Sequence, residues 1–295
     1  MKARVAQNWQ LHSQFGFLSI PIDAFIDGAE IRALPDHDEK LGWVRRSSHA
    51  DGFYYTPTIN SRPAQSFPLP PSHIISISHP VCAHPTIERD ESFLAQALAF
   101  LFGTRLQLSC WRFEGRVPFD RQDSMLIEES TAIHFLQHIY LWWRKLSPVN
   151  RKRAVNILYS YTRAQSMEWE WDSFPWQYMI FDALWRLHRE SNDLDLKGDG
   201  SHSSRIERIC NFYDIPWSTE TRDQLVKTRN VLFHEGLWEN FPVGFSPPGG
   251  SGVQLPRHLE RLNARLICAI TGYHNKFVRS GWDFMGWQLF DQAPA

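Results

Sequence analysis

The chain has 295 residues, 43% hydrophobic and 21% charged, which is the composition of a folded protein with one large core or two smaller ones. Its formal net charge is -1, and it is balanced along its length: residues 1–125 carry 12 Lys and Arg against 13 Asp and Glu, and residues 126–295 carry 19 against 19. The absence of a basic lobe argues against a protein that coats long DNA or RNA by bulk charge, so any nucleic-acid recognition has to be local.

The first part reads as strand-rich. "FGFLSIPIDAFI", "AEIRAL", "LGWVRRS", "GFYYTPTI" and "HIISISH" are short, β-branched or aromatic, and bounded by Gly, Pro, Asp and Asn. "RPAQSFPLPPSH" is a proline-rich connection. "DESFLAQALAFLFG" predicts a helix with acidic residues in its first turn and Gly103 at its end, and "RLQLSCWRFEG" one further strand. From about Glu128 the period turns helical. Ile133, Leu136, Tyr140 and Trp143 recur at spacings of three and four. Ser147-Pro148 opens a second helix running to about Gln165, and Asp172 or Ser173 caps a third. "RIERICNFY" is a short helix ending near Pro216. Ser218 caps the next, "TETRDQLVKTRNVLFHE", which Gly236 ends. After the irregular "FPVGFSPPGGSGVQLP", a last helix carries the stripe Leu259, Leu262, Leu266, Ile270, Tyr273 and Phe277. The expected fold class is α+β: a β-rich domain over 1–125, a sensor or tether, and an all-helical antiparallel bundle over 126–295.

Cys82, Cys110, Cys210 and Cys268 have no paired spacing and read as reduced thiols of a cytoplasmic protein. The N-terminus lacks a signal-peptide core, and the most apolar run, "FLAQALAFLFG", is too short to span a bilayer, so no membrane partner is expected. "HPVCAHP" offers His79, Cys82 and His84. Zinc wants four ligands and no second cluster is evident, so neither metal nor cofactor is expected. "WWRKLSPVNRKRAV" sets Arg144, Lys145, Arg151, Lys152 and Arg153 beside Trp142 and Trp143. Aromatics among cations can hold single-stranded nucleic acid, but a core Trp143 beside a solvated helix turn is the plainer expectation.

The stretch "KTRNVLFHEGLW", Lys227 to Trp238, places a fixed cation and a titratable base on one helix, at Arg229 and His234, with Asn230 between. Arg229-Asn230-Val231-Leu232-Phe233-His234 resembles the signature of the HEPN superfamily (higher eukaryotes and prokaryotes nucleotide-binding domains): an Arg, a polar residue, and a His four to six positions beyond the Arg. The setting is similar too, late in a helical bundle and ahead of one more long helix. The resemblance covers about residues 126–280. The overall layout is loosely similar to ApeA-like anti-phage proteins, with no matching motif in the N-terminal part.

The resemblance implies a metal-independent endoribonuclease of a prokaryotic defence, toxin–antitoxin or stress system, working as a homodimer on RNA, with an antitoxin or sensor as a further partner. It also implies His234 as general base or acid, Arg229 as phosphate clamp and Asn230 as orienter, with Lys227 in the basic lead-in. Some relatives carry a modifiable Tyr two positions after the His; here that position is Gly236. RNA brings its own nucleophile, so histidine for proton transfer and a fork-shaped cation for the phosphorane suffice. An ideal helix puts Arg229 and His234 about 140° apart, while Asn230 and His234 share a face. That offset, and the single motif histidine, point to a site shared across a two-fold axis. The alternatives are a non-catalytic HEPN module binding RNA or nucleotide, and a subunit that only dimerises or docks. In the purely structural reading, Arg229 pairs with an acidic neighbour and His234 serves the helix dipole.

Overall fold

The structure, a computed structural model, describes residues 11–47, 49–55, 58–59, 62–63, 66–80, 89–109, 112–119, 125–192, 200–245, 254–281 and 288–294. In chain order come β1 (Leu11–Gly16), β2 (Ala24–Ile26), β3 (Ala29–Ala33), α1 (His37–Arg46), β4 (His49–Ala50), β5 (Phe53–Tyr54), β6 (Thr58–Ile59), β7 (Arg62–Pro63), β8 (His73–Ile77), α2 (Asp90–Leu101), β9 (Gln107–Leu108), β10 (Val117–Pro118) and β11 (Leu126–Ile127). The helices α3 (Glu129–Lys145), α4 (Pro148–Ala164), α5 (Glu170–Ser191), α6 (His202–Phe212) and α7 (Thr219–Glu235) follow, then β12 (Leu237–Trp238), β13 (Phe241–Pro242), α8 (Leu255–Ile270) and β14 (Leu289–Phe290). The architecture is α+β, a strand-rich first part followed by helices. Among the described residues no helix is long and apolar enough to cross a membrane.

Two compact units divide the chain at Thr162 and Arg163, within α4 and not near residue 125. The reason lies in the buried stripe of α3, which faces α2. Trp143 stacks on Phe93 at 4.7 Å, Phe135 meets Phe100 at 6.1 Å, and the Tyr140 hydroxyl donates to Asp90 Oδ2 at 2.7 Å. α3 therefore belongs to the unit that holds the sheet. That sheet runs β2-β3-β8-β1-β9, with antiparallel pairing throughout. Ile31, Ile75 and Ile77 are buried at its centre. A second cluster joins Phe17, Val44, Tyr54, Phe67, Phe113, Val117 and Phe119. "LGWVRRS" departs from its strand expectation and forms the second half of α1. Only Val44 of that stretch is buried, and Asp38, Glu39, Arg45 and Arg46 complement the helix dipole at the two ends. Among the described residues, "GFYYTPTI" and "RLQLSCWRFEG" form two-residue strands.

A buried imidazole braces the sheet. Ile22 N–H donates to His73 Nε2 at 3.2 Å, and His73 Nδ1 lies 2.8 Å from Ser72 Oγ. Burial, and secondarily His37, lower the His73 pKa from 6.5 to about 4. Asp90 and Glu91 of "ERDES" are fully buried in the first turn of α2, where Arg89 pairs with Glu91.

In the second unit α5 packs on α8. Phe174, Tyr178, Phe181 and Leu184 of α5 are buried, as is the stripe Leu259, Leu262, Leu266 and Ile270 of α8. Asn263, fully buried, donates from Nδ2 to Gln177 O at 2.8 Å and to Gln177 Oε1 at 2.9 Å. α8 ends at Ile270, earlier than the apolar stripe implies. Gly272 takes a left-handed φ of 84° there, and Tyr273 and Phe277 are buried from the turns beyond. His188 sits 2.9 Å from the Tyr213 hydroxyl, and burial, then Arg189, lower its pKa to about 4. Cys210 is free and buried, its thiol pushed up by burial to about 12, and Cys268 is likewise a buried thiol shifted upward. Both are packing groups. Cys82 and Cys110 lie outside the described residues.

Candidate functional site on helix α7

The sequence places the ends of α7 correctly. The Ser218 side chain accepts from Thr221 N–H at 3.1 Å, and Gly236 closes the helix at φ 69° with its N–H on Leu232 O. A residue with a Cβ pays a steric cost at that left-handed φ, which suits glycine. The body of the helix is open: only Leu225 is fully buried, and Lys227, Asn230, Phe233 and His234 are exposed.

The motif residues meet within one chain. Arg229 Nη1 donates to Asn230 Oδ1 at 3.0 Å and lies 3.3 Å from His234 Nε2. The helical offset that should keep Arg229 and His234 apart is spanned by the arginine itself, whose guanidinium carbon passes 5.2 Å from the Phe233 ring centroid. The geometric half of the argument for a shared site therefore lapses. Arg229 Nε is buried without a hydrogen-bond partner, and the Nη1 fork end is the part that reaches the other two side chains. Among the described residues no ion pair joins a carboxylate to Arg229.

Tyr178 adjoins the motif, and His202, Asp182 and Arg205 gather beside it. The guanidinium carbon of Arg229 lies 6.0 Å from the centroid of Tyr178 on α5, and the ring of His202, at the start of α6, lies 5.5 Å from the same centroid. One turn along α5, Asp182 accepts from Arg205 Nη1 at 3.3 Å and stands 4.0 Å from His202 Nδ1. His202 Nδ1 is buried and makes no hydrogen bond. The Tyr178 hydroxyl is also buried without one, and its pKa is raised by burial and by Asp182 against the pull of Arg229 and Arg205. The His202 pKa is lowered, first by burial; Asp182 opposes this, while Arg229 and Arg205 add to it. Sequence reasoning missed this group because it begins at the edge of the polar stretch "SNDLDLKGDGSHS". Tyr178 and Asp182 are i and i+4, and His202 and Arg205 i and i+3, so each pair shares a helix face, but no spacing joins the two helices.

The other sequence candidates lie elsewhere. Arg144 is tied to Asp27 Oδ2 at 2.8 Å and to carbonyls of Asp27 and His79 at 3.3 Å. Trp143 is a core residue whose indole N–H donates to Arg151 O at 3.2 Å, and Arg151 lies over its ring at 5.8 Å. Arg153 bonds Asn150, and Lys145 and Lys152 are exposed. All five cations belong to the first compact unit. Among the described residues no group of three or more His, Cys, Asp or Glu is gathered as for a metal. Cys82 and His84, and the loop from Ser246, lie outside those residues. Comparison with protein-family models, with curated proteins and with solved structures finds no match, so the HEPN resemblance rests on the Arg229–His234 motif and its helical setting.

Proposed function

We propose that the chain is a HEPN-type endoribonuclease that cuts RNA by attack of the 2′-hydroxyl on the adjacent phosphate, without need of a metal. One observation carries this reading: Arg229, Asn230 and His234 converge on the open side of α7, with the guanidinium 3.3 Å from the imidazole. Arginine there would bind the phosphate oxygens and meet the charge that builds on them, and the imidazole beside it would move a proton. Exposure matters, because a polymer has to reach the trio. The biological setting in defence, toxin–antitoxin or stress response comes from the resemblance alone, and the cytoplasm from the unpaired spacing of the cysteines.

The native chain should cut total RNA in the presence of a chelator, leaving 2′,3′-cyclic phosphate and 5′-hydroxyl ends, while DNA stays intact for want of the nucleophile. His234→Ala should abolish cleavage. Activity that vanishes in chelator and returns with magnesium would point to a metal nuclease instead.

A homodimer is part of the proposal. Exposed apolar side chains lie on α7 and on the segment that follows it: Phe233 is 51% exposed, Phe241 45% and Phe245 79%. A second copy of the chain is the simplest cover for them, as patches of this kind mark interfaces. Sedimentation that stays monomeric at micromolar concentration would remove this part. A second reading, a module that binds RNA or nucleotide without cutting, is favoured by Arg229 already being engaged by Asn230 and His234. Tight RNA binding with no product in any buffer would decide for it.

A further inference from the structure

The proposed chemistry needs a proton taken from the 2′-oxygen and another given to the leaving 5′-oxygen. The motif supplies one histidine. α6 supplies a second, His202, against the same Tyr178 ring that Arg229 touches. The His202 ring and the Arg229 guanidinium both lie against the Tyr178 ring, at 5.5 Å and 6.0 Å from its centroid. His202 turns Nδ1 inward toward Asp182, 4.0 Å away, and that nitrogen has no hydrogen-bond partner. Asp182 itself is held by Arg205 at 3.3 Å and its side chain is 41% exposed, so the group opens to solvent. Asp182 closing from 4.0 Å onto that nitrogen would fix the tautomer and ring orientation and leave the other nitrogen for substrate.

We infer that His202 is the second proton-transfer residue of the site, oriented by Asp182, so that one chain carries both histidines around Arg229. This rests on the ribonuclease reading. In the step, His202 takes the proton of the 2′-hydroxyl as O2′ bonds to phosphorus. The P–O5′ bond breaks, and protonated His234 gives its proton to the departing 5′-oxygen. The products are the cyclic phosphate and the 5′-hydroxyl, and exchange with water restores both imidazoles. Arg229 is the phosphate clamp, in contact with His234 and with the Tyr178 ring that His202 also touches. The charged and titratable groups facing His202 are Tyr178 and Asp182 from α5, Arg205 from its own helix and Arg229 from α7. Burial with two arginines nearby favours a neutral ring, which is the form a base requires.

The test measures pH–rate profiles of the full chain on a labelled RNA oligonucleotide in chelator. The native profile should be bell-shaped. His202→Gln should lose about 10²–10³-fold in rate, the range expected for a general base, and its profile should lose the acidic limb, with melting and RNA affinity unchanged. Asp182→Asn guards against a variant that fails to fold: it removes the group that raises the His202 pKa, so the acidic limb should move to lower pH. If His202→Gln keeps the native rate and both limbs while His234→Ala is dead, the inference falls and the ribonuclease reading stands. An acidic limb that does not move in Asp182→Asn likewise overturns it. A native chain that cuts no RNA overturns both.

Discussion

Arg229→Ala separates function from fold, and its cost can be worked out group by group. The guanidinium makes two hydrogen-bond contacts, both on an exposed helix face, and passes over two aromatic rings at 5.2 and 6.0 Å. Exposed polar contacts contribute about 0–1 kcal/mol and a surface cation–π contact about 0.5–1 kcal/mol. Alanine returns part of this through better helix propensity, and it removes a buried Nε that has no partner. The net loss of stability should be about 1 kcal/mol, a Tm fall of roughly 2–4 °C for a chain of this size. Removing a preorganised donor to a transition-state oxyanion costs about 10²–10³-fold in rate. RNA cleavage in chelator, read beside a thermal melt of the same preparation, checks both figures. Arg229→Lys keeps charge without the fork and should fall between native and alanine. A Tm drop above ten degrees, or cleavage within threefold of native, would refute the assignment.

Further outcomes follow from the cores. His73 and His188 have folded pKa values lowered from 6.5 to about 4, so each contributes stability that is complete above about pH 6.5 and is lost as pH falls through 4. A lowering of that size is worth at most about 3 kcal/mol per group; urea melts at pH 7, 5.5 and 4.5 should show stability falling with pH, and a flat series would contradict the burial argument. Asn263→Leu strands the buried Gln177 side chain and should destabilise by about 2–3 kcal/mol, whereas Asn263→Leu with Gln177→Leu should recover part of the loss. A double variant that loses the sum of the Asn263→Leu and Gln177→Leu losses would show that the amide pair is not coupled.

The helical half was legible because its signals are local. Ser218 and Gly236 bracket α7 as cap and left-handed terminus, and each needs only its own turn to act. Leu259, Leu262 and Leu266 mark the buried face of α8 by spacing alone. The first part was harder. "LGWVRRS" carries Trp43 and Val44, which read as strand residues, yet Trp43 is half-exposed and the stretch is helical. The division at Thr162 was hidden for a different reason. Amphipathic spacing in α3 shows which face is buried but not its partner, and the partner is α2. At the site, Arg229, Asn230 and His234 were visible as a motif within one helix. Tyr178, Asp182, His202 and Arg205 converge only through tertiary packing of α5 with α6, which no local pattern encodes.

Phe233 tests how an i, i+5 pair can work at all. The helix turns Arg229 and His234 away from each other, so the arginine must cross the surface between them to place Nη1 3.3 Å from His234 Nε2. Phe233, immediately before His234, provides the surface it crosses, with the guanidinium carbon 5.2 Å from the ring centroid. Without the ring, the arginine gains rotamers and the convergence must be formed anew for each substrate. Ordering a long side chain costs about 1–2 kcal/mol, so Phe233→Ala should lower cleavage about tenfold. The ring is 51% exposed, so the fold should lose little. Phe233→Leu keeps apolar cover but no π face and should sit between the two. Dimerisation is measured alongside, because the same ring lies in the proposed interface. A Phe233→Ala chain that keeps its association state and cleaves at the native rate would show that the ring does not guide the arginine, and that the trio is assembled by the phosphate instead.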